Sequence, residues 1–400
     1  MALTVFGREL AHPKKFREGT HRTRSPTETL AEYLPRMRQF GITRLANITG
    51  LDCIGLPVIV SIRPNSRSLA CSQGKGVDLA AAKASALMEA IELWHAENID
   101  LPLRFESYRS LRHVAHVADV TKLPVRPGRV VRLDVPMLWI EGYDLLQRRA
   151  IWLPFDSVTI NLATGGGSRS DLQVTSNGLA SGNHLLEAIV HGLCEVIERD
   201  AVAEGTTSQC VDLASVDDPA CRHVLDLVTR ANAEFRVYDV TCDTNVPTYR
   251  AALASADARA GWRRLGVAEG FGSHLSPTIA FLRATTEAVQ SRLTLIAGSR
   301  DDLYREKYTT IRAADRWPDV DASACRLDDR ASRDGPTFED DAATLIEDLR
   351  RIGIESVGVV DLTKKDIGIP VVRIVVPGLR GSDHGATGHA SRRRPEMHAP

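Results

Sequence analysis

The sequence predicts a mixed α/β (α+β) protein in which long helices pack against mixed sheets, and three observations predict it. Short runs rich in β-branched and aromatic residues, the mark of strands, recur along the chain. Between them stand three stretches with helical periodicity, residues 78–98, 184–204 and 277–296, all strongly apolar. Finally, 400 residues with 43% hydrophobic and 25% charged content suffice for one large domain or two to three lobes.

Taken in order, residues 1–26 are polar, basic and irregular, and read as a flexible lead-in. Residues 27–380 read as the folded domain. Its first helix, TETLAEYLPRMRQFG (27–41), contains Pro35, which lacks an amide N–H and should kink or divide it. PVIVSIRP (57–64) reads as a strand, with a second at 67–72, a Gly74-Lys75-Gly76 turn, and the helix at 78–98. Residues 101–170 read as a meander, PMLWIEGYDL and IWLPFDSV being its clearest strands. The Gly-rich turn SNGLASGN (176–183) introduces the helix at 184–204. A helix at 216–233 and strands FRVYDV, PTYRAALASA and RRLGVAEG lead to the helix at 277–296. Residues 298–337, rich in Asp and Arg, read as a loop-rich insertion. FEDDAATLIEDLRRIG (helix), SVGVVDLT and PVVRIVVPGL (strands) follow, and residues 381–400 read as a disordered tail.

Composition excludes several classes. A formal net charge of −1 provides no field to recruit nucleic acid or an anionic membrane. Seven cysteines without a Cys-x-x-Cys fit neither a zinc ribbon nor a disulfide framework. The amino terminus lacks a signal-peptide core, and no apolar run approaches the roughly 20 residues of a membrane span. The expectation is a soluble, cytoplasmic protein.

The chemistry is carried by a pattern on three helices: Glu89-Ala-Ile-Glu92, Glu195-Val-Ile-Glu198 and Glu287-Ala-Val-Gln290. Residues at i and i+3 share a helix face. Ser85, Glu187 and Arg283 extend each pattern upstream at helical spacing. On the helix at 184–204, Glu187, His191, Glu195 and Glu198 fall in a stripe roughly 80° wide at 100° per residue. The rest of its circumference is almost wholly apolar, the inverse of a surface helix. Crowded carboxylates on a buried helix repel one another and lose hydration, and a divalent cation compensates. Oxygen ligands select magnesium, which commonly also holds nucleotide phosphates. A single Glu-x-x-Glu is usually a solvated row; three on apolar helices point to bound cation. Arg199 and Arg283 then suit phosphate, and His191 is left without a role. Gly74-Lys75-Gly76 lacks Walker A spacing, so its glycines equally well serve a tight turn.

SQGKGVDLAAAKASALMEAIELWHAE (72–97), TSNGLASGNHLLEAIVHGLCEVIERDA (175–201) and FLRATTEAVQSRL (281–293) closely resemble the three signature blocks of the YcaO family. The resemblance runs from about residue 20 to 380 and implies a YcaO-type ATP-binding fold. It also implies activation of a peptide backbone amide, whose oxygen takes the γ-phosphoryl group of ATP after a nucleophile adds to the carbon. Residue by residue, Glu89, Glu92, Glu187, Glu195, Glu198 and Glu287 fall on the magnesium and catalytic positions. Ser85, Asn183, Arg199, Arg283 and Gln290 fall on nucleotide-binding positions, and Arg22 and Thr29 near a basic and a hydroxyl position. Two departures stand out. Leu93 follows Glu92 where the family commonly has arginine, and the sequence ends Arg394-Pro395-Glu396-Met397-His398-Ala399-Pro400 rather than in a Pro-x-Pro-x-Pro tail. TGLDCIGLPV (49–58) and Glu92-Leu93-Trp94-His95-Ala96-Glu97 resemble the subgroup paired with a TfuA partner. That implies a thioamide-forming enzyme using ATP and Mg2+ on a peptide or protein, with sulfide delivered by a TfuA-like protein, and a homodimer by family analogy. An azoline-forming cyclodehydratase and a silent peptide-binding scaffold are the rival readings.

Overall fold

The computed structural model describes residues 3–163, 170–204, 209–255, 265–305, 308 and 321–381. Beyond Gly381, the expected tail lies outside the described residues. Among the described residues seven helices, α1 (Pro26–Tyr33), α2 (Leu79–Glu97), α3 (Tyr108–Leu111), α4 (Leu185–Glu204), α5 (Pro219–Arg230), α6 (Pro277–Ala297) and α7 (Phe338–Arg351), stand among four sheets. The mixed α/β class is as expected.

Local chemistry sets the helix ends. Ser25 caps α1 with a reciprocal Glu28 box and Pro26 in the first turn. Pro35 does divide the first helix: α1 stops at Tyr33 and a 3-10 helix, Leu34–Phe40, continues to Gly41 at φ 70. The Asp78 side chain accepts from Ala81 N at the start of α2. α7 carries Glu339, Asp340 and Asp341 in its first turn and Arg350 and Arg351 in its last, matching the helix dipole.

Strands Arg44–Asn47, Val58–Ile62 and Cys71–Lys75 form a three-stranded sheet. A six-stranded sheet runs Leu103–Ser107, Pro136–Asp144, Gly358–Asp361, Val371–Val375, Leu179–Ser181, with Arg149–Pro154 also on Pro136–Asp144. A five-stranded sheet runs Ala268–Ser273, Thr248–Ser255, Ala233–Asp239, Gln209–Val211, Asp321–Cys325. Its last pair is parallel, unlike its other pairings.

Each long helix belongs to a different core. α2 supplies Leu87, Ala90 and Ile91 to a core with Trp139, Ile140 and Val371. α4 supplies Leu186, Ile189, Leu193 and Ile197 to one with Phe338, Leu345 and Ile374. α6 supplies Phe281, Ala284 and Val289 to one with Val224, Val237 and Tyr249.

Two expectations are corrected and a third is refined. The lead-in expected over 1–26 is, over its described residues 3–26, packed rather than flexible: Leu3–Val5 pairs with Arg8–Leu10, Val5 is buried in the α4 core, and Lys14 Nζ lies 2.6 Å from Asp341. Alternating apolar residues there are too few to signal a strand, and the hairpin is held by distant partners. Of the loop-rich stretch 298–337, residues 306–307 and 309–320 lie outside the described residues, and Asp321–Cys325 adds a strand to a sheet edge. Gly74-Lys75 is not a turn but the end of the strand Cys71–Lys75, and SNGLASGN contains the strand Leu179–Ser181.

Candidate functional site

The same small unit occurs three times: a strand with a glycine in it or directly after it, a short connection, and a glutamate-bearing helix folded back upon it. A Cβ on Gly74 would lie 2.0 Å from Ala86 N of α2, and one on Gly270 2.1 Å from Ala288 N of α6. One on Gly182 would lie 2.9 Å from Ala188 N of α4. Only glycine lets a strand touch a helix backbone this closely. The close approach brings the glutamates of all three helices to one cleft of about 870 Å³.

All thirteen residues singled out from the sequence line this cleft. Glu187 accepts from Thr23 N at 2.9 Å and pairs with Arg22 at 3.4 Å. Asn183 Nδ2 donates to Thr29 Oγ1 at 3.1 Å, and Gln290 Nε2 to Gln73 O at 2.9 Å. Glu198, 1% exposed, accepts from Ser273 N at 3.1 Å and lies 3.8 Å from Arg199 and 3.9 Å from Arg283. Ser85 lines the wall beside Glu89.

The carboxylates fall into two electrostatic groups. Glu287 belongs to the compensated one: burial works to raise its pKa, but Lys75, 2.6 Å away, and Arg199 hold it below the usual range. Among the described residues Glu89, Glu92 and Glu195 form no ion pair. Burial pushes Glu92 up to about 8, with Glu89 and Glu195 adding to the rise against hydrogen bonds from Ser181. Burial likewise raises Glu89 to about 7 despite Lys75, and Glu195 to about 7 despite Arg199. Glu198 is also raised, by burial first. A cation bound at Glu89, Glu92 and Glu195 would supply the positive charge these sites lack and favour their ionised form.

No three of the glutamates bring oxygens within 4.8 Å of one another among the described residues, so they do not form a closed all-protein cage. Magnesium characteristically takes one or two carboxylates and completes its shell with phosphate and water, so the open set fits it. Lys75, Arg199 and Arg283 supply positive charge for phosphate oxygens on the same walls.

Sequence reasoning missed Lys75, Ser181 and Arg300. Lys75 was visible in Gly74-Lys75-Gly76 but was set aside with the glycines. Ser181 binds Glu92 through both N, at 2.9 Å, and Oγ, at 2.6 Å. Arg300, whose charge is felt at Glu89, brings a basic group to the cleft wall that Leu93 also lines. His191, half-buried and accompanied by Arg283 at 3.3 Å, has its pKa driven well down, by burial first. None of the seven cysteines lines the cleft.

The pattern of the family described as YcaO cyclodehydratase, ATP- and Mg2+-binding, matches residues 73–380. A Rhizobium leguminosarum bv. trifolii protein named for its place in the tfuA 3′ region is 34% identical over 89% of this chain and 87% of its own. A Methanothermobacter thermautotrophicus protein is 35% identical over 88% and 94%. Among solved structures, a heterocyclase in complex with substrate and cofactor superposes with a TM-score of 0.79 at 23% identity over 95% of this chain and 55% of its own. The YcaO of Methanopyrus kandleri bound with AMPPCP and Mg2+ gives 0.71 at 23% over 92% and 94%.

Proposed function

Since the chain belongs to the YcaO family, we propose that it uses ATP and Mg2+ to activate a backbone amide of a peptide or protein and exchanges the amide oxygen for sulfur. The observation that carries the nucleotide half is the charge pattern of the cleft: three uncompensated carboxylates, Glu89, Glu92 and Glu195, facing Lys75, Arg199 and Arg283. Glu89, Glu92 and Glu195 hold Mg2+, while Lys75, Arg199 and Arg283 neutralise phosphate oxygens. When bound, Mg-ATP supplies the phosphoryl group that makes the amide oxygen a leaving group. Glu198 and Glu287 keep these cations oriented, and Glu187 holds Arg22 at the cleft wall, so the groups are set before reaction rather than reorganised during it.

Hydrosulfide adds to the amide carbon, and the former carbonyl oxygen takes the γ-phosphoryl group, releasing ADP. The C–O bond then breaks, phosphate departs with the S–H proton, and C=S remains. Sulfur as nucleophile is supported by TGLDCIGLPV, by the block ending Glu92 to Glu97, and by the rhizobial relative's place beside tfuA. A TfuA-like protein is accordingly the proposed sulfur donor.

The second reading, attack by a Cys, Ser or Thr side chain of the substrate to give an azoline, rests on the family's description as cyclodehydratases. Product mass separates the two. Peptides from cells with and without the gene are compared by mass spectrometry: thioamide formation raises the mass of the modified peptide, dehydration lowers it. A mass loss alone would overturn the thioamide reading.

A further inference from the structure

Beside the cleft lies a smaller cavity of about 170 Å³, which shares Ser176, Glu195 and Arg199 with it. Arg373, on the strand Val371–Val375, lines this cavity and is 3% exposed. Its Nε donates to Ser157 O at 2.9 Å and its Nη2 to Thr175 O at 2.6 Å. These bonds fix the guanidinium and the turn that carries Asn177. Arg373 Nη1 is buried and has no partner, and among the described residues Arg373 forms no ion pair. The Asn177 side chain, also lining the cavity, has a buried Oδ1 without a partner. Amide oxygen and nitrogen are exchangeable by a half-turn, so that position can present a donor. Burial lowers the Arg373 pKa to about 10, against the pull of Glu195, which leaves it cationic at neutral pH.

A buried guanidinium with no ion pair in contact and one nitrogen unpartnered is costly unless an anion completes it. We propose that this side cavity binds hydrosulfide, held by Arg373 Nη1 and Asn177 and delivered into the cleft past Glu195 and Arg199. The assignment rests on the thioamide reading above. Donor count selects the ligand. Of the residues that line the cavity, Arg373 Nη1 and the Asn177 amide are the ones with a buried polar atom lacking a partner among the described residues, and its walls include the apolar Val196, Ile374, Val376 and Leu379. A phosphate dianion requires many more donors to leave water, whereas a weakly hydrated monoanion with few acceptor sites does not.

Full-length protein is titrated anaerobically with sodium hydrosulfide by isothermal calorimetry, with sodium phosphate as the second arm. The wild type binds hydrosulfide saturably. Asn177→Ala and Arg373→Lys each weaken that binding by about 10-fold or more, the effect of one charge-assisted hydrogen bond. Affinity for Mg-ATP stays unchanged in both, which shows that the variants are folded. Should Arg373→Lys not fold, Asn177→Ala decides alone. No saturable hydrosulfide binding, equal binding in Asn177→Ala, or phosphate binding more tightly at these residues would each overturn the assignment. Hydrosulfide binding without any thioamide product keeps the site and sinks the functional reading instead. Thioamide formed without saturable hydrosulfide binding does the reverse.

Discussion

At Glu92 two demands meet on one side chain. Its Oε1 accepts from Ser181 N and Oγ, which favours the carboxylate, yet burial and the neighbouring Glu89 and Glu195 win and lift its pKa to about 8. An unfolded glutamate ionises near 4.3, so at pH 7 the unfolded chain has lost a proton that the cation-free native state still holds. Stability therefore falls as pH rises, and continues to fall through about pH 7 for Glu89 and Glu195 and about pH 8 for Glu92. The half-buried His191 and buried His274, lowered by desolvation, contribute in the opposite direction but only below the ordinary histidine pKa, outside this window. In EDTA, the melting temperature is expected to decline between pH 7 and 8.5, and Glu92→Gln, which mimics the protonated acid, to flatten the decline. The same variant is expected to lose roughly 100-fold or more in ATP turnover, as removal of one preorganised electrostatic group does. A decline that is as steep in Glu92→Gln as in the wild type would place the titration elsewhere.

The strand–helix unit explains both what could be read from the sequence and what could not. The three helices were legible because Glu-x-x-Glu and apolar residues recur at 3.6-residue spacing, a purely local signal. The strands before them were legible only in part: RRLGVAEG reads as a strand despite Gly270, but Gly74 and Gly182 suggest turns when read alone, and their reason lies in a helix that folds back onto them. Likewise, Leu3–Val5 and Asp321–Cys325 depend on partners far away in sequence, Arg8–Leu10 apart, and short strands of this kind carry little pattern of their own. The unit makes a prediction at its own scale. Gly74→Ala puts a methyl group 2.0 Å from Ala86 N, against backbone that cannot rotate aside, so strand and helix must separate. The expected cost is about 1–3 kcal/mol, as for overpacked cores, read by chemical denaturation. Because α2 carries Glu89 and Glu92, affinity for Mg-ATP should fall with it. A variant with unchanged stability would mean that the strand is not pressed against α2.

Across the whole molecule, three apolar cores each present one glutamate-bearing helix to a shared cleft, and no single core contains the site. Charges explain why the arrangement needs a ligand to be complete. Glu89, Glu92 and Glu195 come from two of the helices and lack counter-charges, while Lys75, Arg199 and Arg283 lie among Glu198 and Glu287. A triphosphate entering alone would meet the uncompensated carboxylates and be repelled; the same triphosphate with Mg2+ satisfies both groups at once. ATP binding is thus expected to be cooperative with the cation rather than additive to it. Calorimetric titration with ATP should give saturable binding in Mg2+ and weak or no binding in EDTA. Since a ligand bound only by the native state stabilises it, at about 100 times its Kd Mg-ATP should add roughly 2.7 kcal/mol, seen as a higher melting temperature. Neither ATP in EDTA nor Mg2+ alone should reach that value, because each leaves one of the two charge groups unpaired. Equal ATP affinity with and without the cation would show that the basic residues suffice and that the glutamates have another task.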